Sequence, residues 1–227
     1  CSLGPGAVQA ICDGIGRSDD AVKLMSAVGD VESAAAPFRM WDLSRVIRNS
    51  EELSTIFDGG SAEALKKIKS LNSDDAKSFI TDWEELIAEC GHRGPNEWDM
   101  RSHSWTTKPE LPLGMLERLR FQEDDKSPHM ASVESAKTRE KLTAEVLDLV
   151  KDDEETHASL AAAIKSAALF FGYREMGKNA AIRSVHEAKL AMMELGRRMV
   201  EAGAIDDPQQ LFMVTEAELD DFIADPM

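Results

Sequence analysis

Basic residues are scarce in this sequence. Lys and Arg number 26 against 42 Asp and Glu, which gives a formal net charge of −16 and a pI near 4.7. Duplex nucleic acid and anionic membrane surfaces attract basic faces, so the charge argues against both as the main partner. No apolar run reaches the length of about eighteen residues that spans a bilayer, so no membrane-spanning helix is expected.

Cysteine is also scarce, with only three residues: Cys1, Cys12 and Cys90. An odd count with no regular spacing excludes a disulfide framework and fits a reducing, cytoplasmic setting. The first residue is Cys1 rather than Met, and no basic-then-apolar signal segment follows it. We therefore expect an excised piece of a longer chain.

Aromatic residues make up only 6% of the 227 residues, and no proline occurs between Pro128 and Pro208. That proline-free stretch is rich in Ala, Glu, Lys, Leu and Met, which favour helices, whereas β-rich proteins need more aromatic and β-branched residues. The sequence predicts an all-α fold: long antiparallel helices in a bundle, shorter N-terminal helices and one long ordered loop. We expect a single helical domain over 1–227, with the shorter helices and the loop in 1–112 and a long-helix subdomain in 113–227.

Apolar residues recur at helical spacing in three stretches of the second half. A narrow apolar seam of this kind is typical of helices that pack side by side. Core packing explains such stripes better than a cofactor site does. The three seams are Leu142, Val146 and Leu149; Leu160, Ile164, Ala167 and Phe171; and Val185, Ala188, Met192, Leu195, Met199 and Ala202.

Several helix ends can also be located. Ser50, Ser61 and Ser73 each precede a helical pattern and are placed to cap its first turn. Glycines at 91 and 203 are expected to end helices. Towards the C-terminus, Asp207-Pro208 predicts a short turn, residues 211–214 a brief extended run, and Thr215 with Glu218 a capping box that opens a final helix.

The most unusual stretch is the segment 91–112, which is rich in polar residues and prolines. Loops this long are often functional, and Trp98 and Trp105 can supply the packing that keeps a loop ordered. In one interpretation Arg93 grips an anion while His92 and Glu97 orient it. In the other, which we favour, Arg93 pairs with Glu97 or another acid in a structural clasp.

Other chemical sites receive less support. Cys90, His92, Glu97 and His103 are close in sequence, but their spacing matches no zinc pattern, so no metal site is expected. Residues 172–179 nearly match a phosphate-binding P-loop, but Asn179 offers no hydroxyl and no strand precedes the glycine. We attribute the glycines there to close helix packing, and we interpret His186 as a solvated residue.

Arg174 and Lys178 extend the second apolar seam with two cations. Either they lie just beyond the core and pair with acids across the helix interface, with Glu175 as a member of the network, or they line a cleft and hold an anion. The acidic composition favours pairing.

Several of these stretches resemble the phosphoenolpyruvate synthase and pyruvate phosphate dikinase family of PEP-utilising enzymes, in particular the central helical region of rifamycin phosphotransferases. Cys90-Gly91-His92-Arg93-Gly94-Pro95-Asn96-Glu97 is similar to that family's Gly-His-Arg-Gly-Pro-Gly-Glu signature, with Asn96 in place of a glycine. Residues 40–45 (Met-Trp-Asp-Leu-Ser-Arg), 173–178, 194–200 and 206–215 resemble further segments in the same order.

The resemblance implies a multidomain phosphotransferase, in which an ATP-grasp domain splits ATP with Mg²⁺ and phosphorylates a histidine on a swivelling domain. That histidine then passes the phosphate to pyruvate or, in the antibiotic-modifying members, to a drug hydroxyl. The chain lacks both a glycine-rich ATP-grasp segment and a carrier-histidine motif, so it resembles the helical substrate-side or connecting region, without cofactor or catalytic residues of its own. If it meets substrate, His92, Arg93 and Glu97 are expected to make the contact, with Arg174 and Lys178 next. The alternative is an inactive scaffold or interaction module that binds no small molecule.

Overall fold

The computed structural model describes residues 3–26 and 35–225, and this part of the chain is helical and contains no strand. The all-α prediction is therefore confirmed, while Cys1 lies outside the described residues. The α-helices, numbered in chain order, are α1 (Leu3–Gly14), α2 (Asp20–Leu24), α3 (Ala35–Asn49), α4 (Glu51–Asp58), α5 (Ala64–Lys69), α6 (Asp74–Cys90), α7 (Glu110–Leu119), α8 (Pro128–Leu149), α9 (Glu154–Glu201) and α10 (Glu216–Ala224).

The chain forms two compact units, each assembled from two separate stretches. The first unit comprises Cys1–Trp41 and Phe121–Asn179, and the second comprises Asp42–Arg120 and Ala180–Met227. Helices α3 and α9 each contribute residues to both units. The expected division between 1–112 and 113–227, which falls within α7, stays a prediction about domain organisation.

The first unit has a core of small and aliphatic side chains. Val8 and Cys12 of α1, Leu24 of α2, Val146 of α8 and Leu160 of α9 are buried together. Helices α1 and α9 approach so closely that a Cβ on Gly4 would lie 2.7 Å from the backbone nitrogen of Ala167. The glycine is required there because no side chain fits between the two backbones.

The predicted seams were partly correct. Leu142 and Val146 of α8 pack in the same core as Leu160 and Ala167 of α9, as side-by-side helices should. However, the second and third seams lie on one continuous helix of 48 residues, so they do not pack against each other. Sequence periodicity identified the helix but not its continuity.

The second unit has a more aromatic core. Phe79 of α6 lies between Phe57 of α4 and Trp83 of α6, with ring centroids 6.1 and 6.3 Å apart respectively. The C-cap of α7, Arg120, is buried and donates to Asp58 at 2.5 Å and to the carbonyl of Ser54 at 3.0 Å, which ties the end of α7 to α4.

Most predicted helix ends are confirmed. Ser50 accepts from Leu53 N at 3.4 Å and Ser73 accepts from Ala76 N at 3.2 Å, whereas α5 starts at Ala64 with Glu63, not Ser61, in the capping position. Gly91 caps the end of α6, and Gly203 follows α9 with a φ of +76°, as predicted. Thr215 forms the predicted capping box at the start of α10.

The segment before α10 differs from its prediction. Residues Pro208–Met213 form a 3-10 helix capped by Asp207 rather than an extended run. Proline at the first helical position and the Asp207 capping box favour this turn over a strand.

Within the described ranges, no helix has both the length and the apolarity that a bilayer crossing requires.

Candidate functional site

The loop between α6 and α7 is held by backbone pairing between its two ends. Trp105 N donates to the Arg93 carbonyl at 2.8 Å, and Thr106 N donates to the Gly91 carbonyl at 3.0 Å. A Cβ on Gly91 would collide with Thr106 Oγ1 and the Ile87 carbonyl. A Cβ on Gly94 would collide with the carbonyl of His103. The two glycines of the Gly-His-Arg-Gly stretch therefore let the two ends of the loop approach closely.

The central ion pair of the loop joins Arg93 and Glu97. The Nη1 of Arg93 lies 3.1 Å from Oε1 of Glu97, and the two side chains are only 13% and 19% exposed. His92 beside them is buried. The pairing of Arg93 with Glu97 expected of a structural clasp is confirmed, and contact with a substrate stays a prediction.

The two tryptophans of the loop differ in their environment. Trp105 is buried, as expected of a residue that keeps the loop ordered, whereas Trp98 is 54% exposed. The prediction that both would supply packing was therefore wrong for Trp98. Its exposure leaves a large apolar ring on the surface beside Glu97.

The buried face of α9 in the second unit carries two ionisable residues. Ile182, His186, Lys189 and Met199 are buried, and Lys189 is among the most completely buried side chains of the described chain. Of the predicted seam, Met199 is buried, whereas Val185 is half-buried and Ala188 is exposed. The buried face between residues 182 and 189 therefore lies about one residue from the predicted one. The interpretation of His186 as a solvated residue was wrong, since the side chain is buried. The error arose because the apolar pattern alone placed His186 on a polar flank of the helix.

The electrostatic environment of these two residues is unusual. Burial lowers the pKa of Lys189, although Asp99 and Glu97 of the loop act in the opposite direction. Burial, followed by the charge of Lys189, lowers the pKa of His186, and His92 of the loop adds to this effect. His92, Glu97 and Asp99 of the loop therefore act electrostatically on His186 and Lys189 of α9.

Arg174 and Lys178 lie on α9 in the first unit and are exposed. Arg174 Nη1 lies 2.7 Å from Oε1 of Glu175, so Glu175 is a partner as predicted, but the pair joins neighbours on α9 and does not cross a helix interface. Their expected proximity to Arg93, which belongs to the second unit, stays a prediction.

The near match to a P-loop lies inside helix α9, where the backbone amides are engaged in the helix. The expectation that Gly172 and Gly177 allow close helix packing was wrong, because a Cβ at either position would meet nothing within 4 Å. Among the residues that the structure describes, no three His, Cys, Asp or Glu side chains are grouped so that they could hold a metal ion.

These features define an all-α domain with a long loop that carries a largely buried ion pair and a long helix whose buried face carries two ionisable residues. A family profile described as the rifampicin phosphotransferase fourth domain matches residues 3–175, which is more than half of the chain and includes the whole loop. The chain therefore belongs to this family of helical phosphotransferase domains, as the resemblance implied. The match ends before Lys178, His186 and Lys189. No curated protein matches the chain.

Proposed function

We propose that this chain is the helical substrate-side or connecting domain of a phosphoenolpyruvate synthase-like phosphotransferase. A fourth domain implies neighbouring domains in the same polypeptide. An ATP-grasp domain would bind ATP and Mg²⁺ and a phosphohistidine domain would carry the phosphate, while this domain positions the acceptor. In this proposal the cleavage of ATP takes place on the ATP-grasp domain.

The observation that carries this proposal is the packed loop with its enclosed Arg93–Glu97 pair. An arginine fixed by a neighbouring carboxylate is presented in one orientation, and positioning of this kind is how a non-catalytic domain accelerates a transfer between bound groups. Arg174 and Lys178 would add positive charge on α9, since both are exposed and Arg174 is restrained by Glu175.

The test separates acceptor binding from ATP chemistry in the full-length parent enzyme. Arg93→Met is expected to leave phosphorylation of the carrier histidine unchanged and to lower transfer to the acceptor at least about tenfold, the loss of one charge-assisted contact. Lys66→Met, at an 85% exposed side chain of the same unit, is the control. Normal transfer by the Arg93 variant would contradict the proposal, as would an equal loss in both steps.

A scaffold role without a small-molecule ligand is the second candidate, and one observation favours it. Leu169, Tyr173 and Met176 form an exposed apolar stripe on α9, with exposed fractions of 53%, 67% and 50%. Stripes of this kind are typical of docking surfaces. If docking is the whole function, Tyr173→Glu would abolish activity of the full-length enzyme while Arg93→Met would leave it intact.

A further inference from the structure

The solvent-facing side of α9 in the first unit carries a largely apolar stripe. Leu169, Tyr173 and Met176 are 53%, 67% and 50% exposed, and Ala162 and Lys165 are exposed as well. Because the five residues follow one another at spacings of three and four, they lie on one face of the helix. We call this face the α9 stripe.

The spacing of the α9 stripe is the same in both directions along the chain. From Ala162 to Met176 the steps are three, four, four and three residues, with Leu169 at the centre. A second, antiparallel copy of the helix would therefore present the same face in matching register, which is what a two-fold interface requires. Leu169 would then lie on the two-fold axis and contact its own copy.

The residues that this register brings together complement each other. Ala162 would lie opposite Met176 of the second copy, so that a small side chain leaves room for a long one, as in the ridges and grooves of packed helices. Lys165 would lie opposite the ring of Tyr173, an arrangement that favours a cation–π contact. Each of these pairs occurs twice in a two-fold dimer.

The charge distribution also favours self-association through this face. The chain has a net charge of −16, so two copies repel each other. However, no Asp or Glu occurs between Glu155 and Glu175, which is the longest acid-free run in the sequence. The two copies of Lys165 would be separated by about 12 Å along the helix axis, which exceeds the screening length of about 10 Å at 0.1 M salt. The α9 stripe therefore brings no like charges into contact.

We propose that the α9 stripe is the interface of a homodimer, in which two copies of α9 pack antiparallel about Leu169. The inference deepens the second candidate function by naming the partner of the docking surface, and it rests on that candidate rather than on the positioning of an acceptor. One helical face buries less than the roughly 1,600 Å² of a standard stable interface, so the dimer should be weak, with a Kd on the order of 10–100 µM.

The test is sedimentation velocity of the chain over a concentration range that spans this Kd. The wild type is expected to show a reversible monomer–dimer equilibrium. Leu169→Glu places two carboxylates against each other at the axis and should raise the Kd at least about tenfold, and Tyr173→Glu should have a similar effect. Leu149→Glu, at a 59% exposed leucine of the same unit, is the matched control and should leave the Kd unchanged.

The register is tested by mixing two charge variants. Leu169→Glu and Leu169→Lys should each be largely monomeric, because like charges meet at the axis. An equimolar mixture of the two should dimerise, because a glutamate then faces a lysine, and this recovery also shows that both variants are folded. The corresponding mixture of Leu149→Glu and Leu149→Lys should behave as the wild type does.

Three results would overturn the inference. They are a wild type that stays monomeric at all concentrations, a Leu149→Glu variant weakened as much as Leu169→Glu, and a mixture that dimerises no better than either Leu169 variant alone. A monomeric wild type combined with lost activity of Tyr173→Glu in the full-length enzyme would refute the homodimer but retain a docking role with another partner. The transfer experiment with Arg93→Met is unaffected by any of these results, so the proposals fail separately.

Discussion

Gly94→Ala tests whether the loop depends on close backbone approach. A Cβ at this position would collide with the carbonyl of His103 and would lie 3.2 Å from the Cα of Ser104. Both are backbone atoms, so the neighbour cannot rotate away as a flexible side chain could. The loop ends must separate, and the 2.8 Å hydrogen bond from Trp105 N to the Arg93 carbonyl is the nearest one to be lost.

The magnitude follows from these two effects. Loss of a backbone hydrogen bond costs about 1 kcal/mol, and the strain of inserting a methyl group into packed structure adds about 1–3 kcal/mol. We therefore expect Gly94→Ala to lower the free energy of unfolding by about 2–4 kcal/mol. Urea denaturation followed by tryptophan fluorescence and far-UV circular dichroism measures it.

The matched control is Gly114→Ala in α7, which lies in the same unit. A Cβ there would meet only Ser61 Oγ at 3.7 Å, an ordinary contact. Alanine favours the helix interior over glycine, so this change should stabilise by about 0.5–1 kcal/mol. The reasoning is refuted if both variants shift stability in the same direction by similar amounts.

Three further predictions concern stability. Arg120→Ala should lower the free energy of unfolding by roughly 3 kcal/mol, because it removes a buried guanidinium that binds Ser54 and Asp58 of α4. Asp58→Asn changes the exposed member of the ion pair and should lower it by under about 1 kcal/mol, and urea denaturation measures both. Gly177→Ala should raise the free energy of unfolding by about 0.5–1 kcal/mol, and a decrease would mean that the glycine serves close packing after all. Burial lowers the pKa of His186 below the ordinary value of 6.5, so this histidine binds a proton more readily in the unfolded chain than in the folded one. The free energy of unfolding should therefore fall as the pH drops below about 6.5. His186→Gln should make it less dependent on pH, which unfolding curves at a series of pH values measure.

The fold class was predictable because it depends on composition and on side-chain oxygens at helix starts. Ser50 and Ser73 cap helices where local chemistry says they should, and Gly203 adopts the positive φ that a chain reversal requires. These signals act over three or four residues and need no knowledge of the rest of the chain. The continuity of α9 could not be predicted in this way. Between residues 172 and 185 no local signal tells whether the chain forms one helix or two.

The candidate site was only half predictable. The Arg93–Glu97 pair follows from spacing within the loop, and the sequence gives its two members directly. Lys189 and His186 were missed because periodicity ranks residues by apolarity, and a buried lysine breaks the rule on which the ranking depends. A signal was present: Ile182, His186 and Lys189 follow one another at spacings of four and three residues and so share one helical face, which Ile182 marks as apolar at one end.

Local rules fail at several positions of the described residues, and the failures have different causes. Gly91 and Gly94 are poor choices for an ordered segment unless the loop ends must approach closely, and Gly4 meets the same requirement between α1 and α9. Lys189 is a poor choice for a buried stripe, because burial disfavours its charged form. The close backbone contacts explain the glycines, but a pattern of three or four residues in the sequence cannot reveal such contacts, because the atoms that meet belong to residues that are distant along the chain.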